Sequence, residues 1–501
     1  MSSLHHPTLD TTFQGHRPPS APYTHYRGIP YATIPHRFAN PSVLTTYGST
    51  INATTFGPRC PQIPVDVGYL LREPEGDIWF STTEDEFACT NLDIAVPDLS
   101  DTQKDAKLPV FFWVHGGSQV VSYGNAGSKI GDVRTFVSQS VADGTPVVVV
   151  SVQYRLGIFH VGDSETRKNL GLRDLMVALE WTRRYIGGFG GDAEQITLAG
   201  ESAGAALAHA MVVMGAEVRR VALMSGSLWM SGPRPDAVGE AGVRGPVREK
   251  LKGFGGDGDL EKATVEDLVR AQRGAGVVSV FLQVEEGLKD WQTKTGRVEE
   301  LVVGDCEYES VLWKNGVDGL SGEEIDASFT KSGVTGEKLK KLYHINKDRA
   351  SSARHGALDL INDVLWAMPT WNLANLFKQQ GKTAYVYLFD QANPWQASAR
   401  AHHAVDLLYL FEGFDISVNP AGQALAKEQR RRYLEWIHGR QPWNADKTCV
   451  FGPHGRVQEI DVEEVKSRRR KREVGEIRKL AFAEVLGVLP GLIAGRISLH
   501  N

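Results

Sequence analysis

The amino-acid sequence predicts an α/β fold: a mostly parallel central sheet with helices on both faces and helical insertions over its carboxyl edge. Two continuous apolar segments, residues 108–114 and 145–152, have the composition of strands that are buried on both sides. Residues 172–185 carry apolar side chains three and four positions apart, which is typical of a helix. Strands that alternate with helices in this way indicate a parallel sheet with both faces covered.

The remaining segments follow the same alternation. In chain order, the strand-like segments are residues 90–97, 108–114, 145–152, 195–199, 220–227, 298–304 and 384–389. Residues 1–25 are polar and rich in proline and predict an extended lead-in. We expect residues 230–300 and 312–400 to lie over the carboxyl edge of the sheet, where substrates of such folds bind. The whole chain, residues 1–501, is expected to form one domain.

Composition and charge narrow the class of protein. Hydrophobic residues make up 42% of the chain and charged residues 23%, as in ordinary globular proteins. The net charge of −5 gives no reason to expect a nucleic acid or an anionic membrane as a partner. The first residues lack a basic start followed by an apolar run, and no apolar run reaches about 18 residues. We therefore expect a cytoplasmic protein without a signal peptide or membrane anchor.

A G-x-S-x-G motif follows the strand-like segment 195–199 and consists of Gly200, Ser202 and Gly204. Such a turn is so tight that a Cβ atom at either flanking position would clash, and glycine has none. Residues 205–211 then predict a helix. Strand, turn and helix together are the context of a nucleophile elbow, with Ser202 as the nucleophile, although a glycine-rich turn with an incidental serine has the same local pattern.

A serine nucleophile needs a base to take its proton and an acid to orient that base. In this class of fold the chain order is serine, acid, histidine. The segment after strand 298–304 contains three carboxylates, Asp305, Glu307 and Glu309. Adjacent histidines, His402 and His403, follow strand 384–389. Both partners are therefore present in the required order.

Taken together, these features resemble the type-B carboxylesterase family, the group of α/β-hydrolases with carboxylesterases, cholinesterases and fungal lipases. The most specific match is Phe189-Gly-Gly-Asp192 leading to Gly200-Glu-Ser-Ala-Gly204. Further matching blocks are Gly28-Ile-Pro-Tyr-Ala32, Arg37-Phe38, Phe56-Gly-Pro-Arg-Cys60, Cys89-Thr-Asn-Leu-Asp-Ile, Gln153-Tyr-Arg-Leu-Gly157 and Asn169-Leu-Gly-Leu-Arg-Asp174. The likeness extends from about Gly28 to about Trp443. It implies the α/β-hydrolase fold.

The resemblance also implies roles for individual residues. Ser202 matches the family nucleophile, and His403 matches its base because His403-Ala-Val-Asp406 fits a His-Gly-x-Asp/Glu pattern. Glu309 matches the acid because Gly304-Asp-x-Glu-Tyr-Glu309 fits Gly-Asp-x-Glu-Asp-Glu-Gly. That block is altered here, so Glu307 remains the alternative acid.

A backbone hole for the negatively charged oxygen of the reaction is expected beside the nucleophile. By the resemblance, the N–H groups of Gly117, Ser118 and Ala203 form it, the first two from the His115-Gly-Gly-Ser118 segment. Ser118 replaces a family glycine and narrows the space behind the substrate carbonyl. Glu201 corresponds to a family acid beside the nucleophile, for which a structural and a catalytic role are both open.

Two further departures concern the early part of the chain. Phe87 stands where the family has a glutamate paired to the early arginine, so Arg37 needs another partner, and the neighbouring Glu86 is a candidate. Cys60 and Cys89 resemble a disulfide-bonded pair of the family. Without a signal peptide the bridge can be reduced, so both states remain open.

The basic run at residues 466–472 reads Lys-Ser-Arg-Arg-Arg-Lys-Arg. Such a run is typical of a solvated helix face, which is the interpretation we adopt over a nuclear-targeting or anion-binding patch.

These observations predict a serine hydrolase that cleaves a small-molecule carboxylic ester without a metal or cofactor. The same catalytic residues would serve a lactonase, thioesterase, amidase or acyltransferase acting on a biosynthetic intermediate. A non-catalytic binding relative is a further alternative, but it would predict a damaged set of catalytic residues, whereas serine, acid and histidine are all present.

Overall fold

The computed structural model describes residues 2–72, 78–99 and 106–497. Its strands are Ser2–His6 (β1), Thr11–Gly15 (β2), Tyr23–Pro30 (β3), Ala32–Thr33 (β4), Ser42–Val43 (β5), Thr50–Ala53 (β6), Asn91–Pro97 (β7), Leu108–Val114 (β8), Val148–Val152 (β9), Gly191–Glu201 (β10), Arg220–Met224 (β11), Glu300–Cys306 (β12), Thr383–Phe389 (β13), Thr448–Phe451 (β14) and Val457–Ile460 (β15).

The helices lie between and after these strands. They are Val67–Leu71 (α1), Arg134–Ala142 (α2), Gly157–Val161 (α3), Leu170–Tyr185 (α4), Ala203–Val213 (α5), Asp236–Gly239 (α6), Gly245–Gly253 (α7), Val265–Gly274 (α8), Lys314–Asp318 (α9), Gly322–Thr330 (α10), Gly333–Leu342 (α11), Ala350–Asn362 (α12), Met368–Gln379 (α13), Val405–Leu410 (α14), Pro420–Ile437 (α15), Val462–Arg468 (α16), Lys471–Ile477 (α17) and Phe482–Ile493 (α18). None of the helices in the described part of the chain combines the length and apolar character needed to cross a membrane.

Among the described residues, ten strands form the central sheet, in the order β15-β14-β13-β12-β11-β10-β8-β9-β7-β3. The strands from β14 to β9 in this order are parallel, while β15, β7 and β3 pair antiparallel at the two ends. The prediction of a mostly parallel central sheet is therefore confirmed.

Helices cover both faces of this sheet. Successive side chains of a strand point to opposite faces. On one face, Phe111 of β8 stacks on Phe136 of α2, with ring centroids 5.2 Å apart. Toward the other face, its neighbour Val110 lies beside Ile186, which directly follows α4, because a Cβ atom added at Gly191 would meet both side chains within 3 Å.

The N-terminal segment is part of the folded structure. Residues 1–25, predicted as an extended lead-in, contain β1, β2 and the start of β3; Met1 lies outside the described residues. The β1–β2 hairpin pairs with β6 in a second, three-stranded sheet. Phe13 is fully buried, and the imidazole of His6 is hydrogen-bonded to the carbonyl of Tyr185 at 2.7 Å. These contacts attach the hairpin to the end of α4.

The connections between neighbouring strands change direction at β8. From β8 the chain moves to β9 on one side, and it then returns to β10 on the other side of β8. The loops that leave β8 and β10 therefore diverge at a topological switch point, where open α/β sheets bind ligands. The segments 230–300 and 312–400 supply α6–α8 and α9–α13.

The prediction of a solvated helix face for residues 466–472 is wrong in the middle of the run. Arg469 is buried against Asp305, and Arg470 forms an ion pair with Asp363. Local sequence could not reveal this, because both partners lie more than 100 residues earlier in the chain. A buried carboxylate needs a counter-charge, and these arginines supply it.

Candidate active site

The G-x-S-x-G turn joins the end of β10 to the start of α5. Ser202 has φ 55° and ψ −123°, a strained backbone conformation for a residue other than glycine. A Cβ atom at Gly204 would lie 2.2 Å from the carbonyl oxygen of Val114, and one at Gly200 would lie 2.5 Å from the backbone of Gly204. Both glycines are therefore required for the turn that presents Ser202 at the edge of the sheet.

A continuous hydrogen-bonded chain runs from this serine to a carboxylate. The hydroxyl of Ser202 donates to Nε2 of His403 at 2.9 Å, and Nδ1–H of His403 donates to Oε2 of Glu309 at 2.5 Å. The backbone N–H of Cys306 donates to the other oxygen of Glu309 at 2.6 Å. This arrangement can pass the serine proton to the imidazole while the carboxylate fixes the orientation of the ring.

The alternative acid lies elsewhere. Glu307 points to the surface, where it forms an ion pair with Arg400 at 2.6 Å, and more than a third of its side chain is exposed. Glu309 is fully buried, and its backbone N–H donates to Oδ1 of Asn362 at 2.8 Å. Of the two glutamates, only Glu309 contacts His403 within the described part of the chain.

The two adjacent histidines differ in environment. Nδ1–H of His402 donates to the backbone carbonyl of His403 at 2.8 Å, and the side-chain amide of Asn393 donates to its Nε2 at 3.0 Å. These hydrogen bonds tie His402 to the backbone of its own loop and to Asn393. The indole of Trp366 stands edge-on to the His403 ring, with centroids 5.8 Å apart. Asn362, Asn393 and Trp366 could not be predicted from the sequence, because none of them belongs to a local motif.

The segment after β8 presents backbone N–H groups beside the elbow. Gly117 has φ 107° and Ser118 has φ 54°, and the carbonyl of Gly117 accepts from the N–H of Val121 at 3.1 Å. Within the described residues, the N–H groups of Gly117, Ser118 and Ala203 have no hydrogen-bond acceptor. A Cβ atom at Gly116 would lie 3.3 Å from Cβ of Ser202, so this segment lies directly against the elbow. Free donors in such a place can bind a developing negative charge.

Buried charges set the electrostatics of the site. Oε1 of Glu201 lies 3.2 Å from Nε2 of His403, and both groups are buried. Burial raises the pKa of Glu201, and the positive charge of a protonated His403 opposes that rise. Burial alone would lower the pKa of His403, but the carboxylates of Glu201 and Glu309 outweigh it and raise this pKa above its usual value. The two carboxylates thus stabilise an imidazolium when His403 takes up a proton.

No metal ligands gather around this chain of residues: no group of three or more His, Cys, Asp or Glu within the described ranges has an arrangement that could hold a metal ion.

The structure also shows the ion-pair partner of Arg37 and the state of the two cysteines. Arg37 forms a two-fold hydrogen-bonded ion pair with Glu86, at 2.6 and 2.7 Å, which confirms Glu86 as its partner. Cys60 and Cys89 are buried free thiols rather than a disulfide. The sulfur of Cys60 accepts from the N–H of Leu156 at 3.2 Å, and the thiol of Cys89 donates to the carbonyl of Glu86.

Comparison with known proteins agrees with this architecture. A profile of the Carboxylesterase family matches residues 9–239 and 303–430, which is most of the chain. The chain belongs to the carboxylesterase family. The chain is similar to Lipase 3 of Yarrowia lipolytica, at 29% identity over 96% of this chain and 97% of that protein. Carboxylesterase 1F of Mus musculus is 37% identical over 37% of this chain and 32% of its own length.

Solved structures place this carboxylesterase in the α/β-hydrolase fold. A structure of PNB esterase superposes with a TM-score of 0.74 and covers 93% of this chain and 99% of its own, at 22% identity. A thermophilic PNB esterase gives the same TM-score at 20% identity, over 94% of this chain and 99% of its own. The protein is accordingly a hydrolase of the carboxylesterase and lipase class, EC 3.1.1.-.

Proposed function

We propose that this carboxylesterase cleaves a small-molecule carboxylic ester through an acyl-enzyme on Ser202. His403 is the base, and Glu309 is the acid that orients it. The observation that carries the proposal is the buried hydrogen-bonded chain from the Ser202 hydroxyl through both nitrogens of His403 to Glu309.

In the first half of the reaction, Oγ of Ser202 attacks the acyl carbon while its proton moves to Nε2 of His403. The carbonyl oxygen becomes an oxyanion, which accepts hydrogen bonds from the N–H groups of Gly117, Ser118 and Ala203. His403 then gives its proton to the leaving alkoxide. An alcohol departs, and the acyl group remains on the serine oxygen.

In the second half, water replaces the serine as nucleophile. His403 takes a proton from the water as it attacks the acyl carbon, and the same N–H groups hold the second oxyanion. Collapse of this intermediate returns the proton to Oγ of Ser202 and releases the carboxylic acid. Glu201 favours the imidazolium that forms in each half, since its carboxylate lies 3.2 Å from Nε2 of His403.

In this proposal, the helical parts of residues 230–300 and 312–400 form the cover under which the ester binds, while β13, which also lies in the second range, belongs to the central sheet. Val280 illustrates the contact, because its N–H donates to the carbonyl of Ser118 at 3.2 Å. The hydroxymethyl group of Ser118 occupies space that a glycine would leave open. We therefore expect esters with a compact acyl carbon environment to react faster than hindered ones.

The test combines covalent labelling with turnover. A fluorophosphonate should label the wild-type protein at Ser202, as located by peptide mass spectrometry, and short- and long-chain nitrophenyl esters should be hydrolysed. Ser202→Ala should abolish both. A wild-type protein that neither labels nor turns over, or a Ser202→Ala variant with full activity, contradicts the proposal. Faster turnover of a thioester, lactone or amide of the same acyl group would redirect it to that acyl chemistry.

A further inference from the structure

The basic run at residues 466–472 lies beyond the part of the chain that matches the family profile, which ends at residue 430. Its central residue, Arg469, has a side chain that is 3% exposed. The guanidinium donates to Oδ1 of Asp305 at 2.7 Å and to Oδ1 of Asp390 at 2.8 Å. It also donates to the backbone carbonyl of Asp305 at 3.2 Å. One buried arginine thus connects two carboxylates and a main-chain oxygen.

Both carboxylates lie at the carboxyl ends of strands in the central sheet, close to the loops that carry Glu309 and His403. Asp305 is the penultimate residue of β12, directly before Cys306, whose N–H donates to Glu309. Asp390 directly follows β13, on the segment that leads to His403. Arg469 therefore joins the two strand ends from which the Glu309 and His403 loops depart.

The charges at this corner require a cation. Burial raises the pKa of Asp305 to about 6, with Arg469 opposing that rise and the neighbouring Glu309 adding to it. Without this guanidinium, Asp305 would have no ion-pair partner among the described residues, and Asp390 would keep only Arg468, at 3.1 Å. The planar fork of an arginine fixes both the distance and the angle between its two partners, which a flexible ammonium group does not do.

We propose that Arg469 is a positioning residue, which locks the carboxyl ends of β12 and β13 together and thereby holds Glu309 at His403. The proposal rests on the proposed function, because it concerns the same catalytic residues. Residues 466–472 thus affect the rate of the reaction although none of their atoms takes part in it.

The chain offers a matched control at the opposite edge of the sheet, where an arginine pairs with the amino end of β12. Arg220 begins β11 and forms an ion pair with Glu300, which begins β12, at 3.4 Å. Its side chain is 4% exposed, nearly as buried as that of Arg469. The loss of Arg220 removes a buried ion pair between strand ends, but at the amino edge, away from Ser202.

The experiment compares Arg469→Met, Arg469→Lys and Arg220→Met in the full-length protein. Active sites are counted by fluorophosphonate titration, thermal unfolding is recorded, and kcat and KM for a nitrophenyl ester are measured per active site. We expect Arg469→Met to lower kcat about tenfold or more with KM changed less than about twofold, because small displacements of catalytic groups cost rate. Arg469→Lys should fall between Arg469→Met and wild type, since it restores the charge without the fork.

Arg220→Met should lower the unfolding temperature while kcat per active site stays within about twofold of wild type, because its strand ends carry no catalytic loop. Equal kcat values for Arg469→Met and Arg220→Met would overturn the positioning role. If Arg469→Met does not fold, Asp390→Asn replaces it: a severalfold lower kcat supports the proposal, and an unchanged kcat overturns it. A wild-type protein without labelling or turnover would instead overturn the proposed function itself.

Discussion

Replacing Glu309 with glutamine changes the atom that faces Nδ1 of His403 and so tests Glu309 as the proposed acid. The N–H of Cys306 donates to Oε1 of Glu309 at 2.6 Å, so the carbonyl oxygen of a glutamine must take that position. Its NH₂ group would then face Nδ1 of His403, which must become an acceptor. The imidazole proton would then lie on Nε2. That nitrogen would donate a hydrogen bond to Ser202 and could no longer accept the serine proton. The change thus forces the tautomer that cannot act as a base.

The expected loss is large. In the serine, histidine and acid arrangement, an amide in place of the acid lowers kcat by about 10⁴-fold, or about 5 kcal/mol of transition-state stabilisation. KM should change little, because Glu309 is buried behind the imidazole. The assay is ester hydrolysis per titrated active site.

The matched control is Glu307→Gln. Glu307 forms an exposed ion pair with Arg400, of a kind that contributes about 0–1 kcal/mol to stability, and we expect kcat within about threefold of wild type. A larger loss at Glu307 than at Glu309 would refute the assignment of the acid. A loss below about tenfold for Glu309→Gln would refute the tautomer argument.

Two further substitutions test the electrostatics and the turn. Glu201→Gln removes a negative charge 3.2 Å from Nε2 of His403, so the pKa of His403 should fall, the neutral base should persist to lower pH, and the acidic limb of the pH profile of kcat/KM should move down. An unmoved limb would contradict this. Gly204→Ala should lower the free energy of unfolding by about 2–3 kcal/mol because its Cβ would lie 2.2 Å from the carbonyl oxygen of Val114. Gly187→Ala, whose Cβ would meet no atom within 4 Å, is the control in thermal unfolding, and equal unfolding temperatures for the two would refute the steric argument.

The parts of the structure that sequence could predict are those with a local cause. Apolar runs such as residues 108–114 occupy a sheet with both faces covered, so their composition reports their place. The spacing of Gly200 and Gly204 follows from the clash that a Cβ would create in the turn. Glu86 was identifiable as the partner of Arg37 because it adjoins the position that the family uses.

The parts that sequence could not predict depend on contacts between distant segments. The basic run from residue 466 to 472 has the composition of a solvated surface, yet Arg469 reaches Asp305 across 164 positions of the chain. The hairpin of β1 and β2 was predicted only as extended chain. It is held by its pairing with β6 and its contact with α4, and its own polar residues do not indicate either contact. An ion pair between residues that are far apart in the chain produces no periodic pattern in the sequence.

Backbone strain at the site has the same origin. Ser118, Ser202, Ser225 and Ala404 have φ values of 54°, 55°, 49° and 63°, where propensity alone would favour glycine. Each costs on the order of 1 kcal/mol, so together they use a substantial part of a typical net stability of about 5–15 kcal/mol. They persist because the surroundings determine these turns: the indole N–H of Trp366, for example, donates to the carbonyl of Ser225 at 2.8 Å. One lies in each of four loops around the site, so the stability of the sheet and its helices is what holds the reacting groups in place.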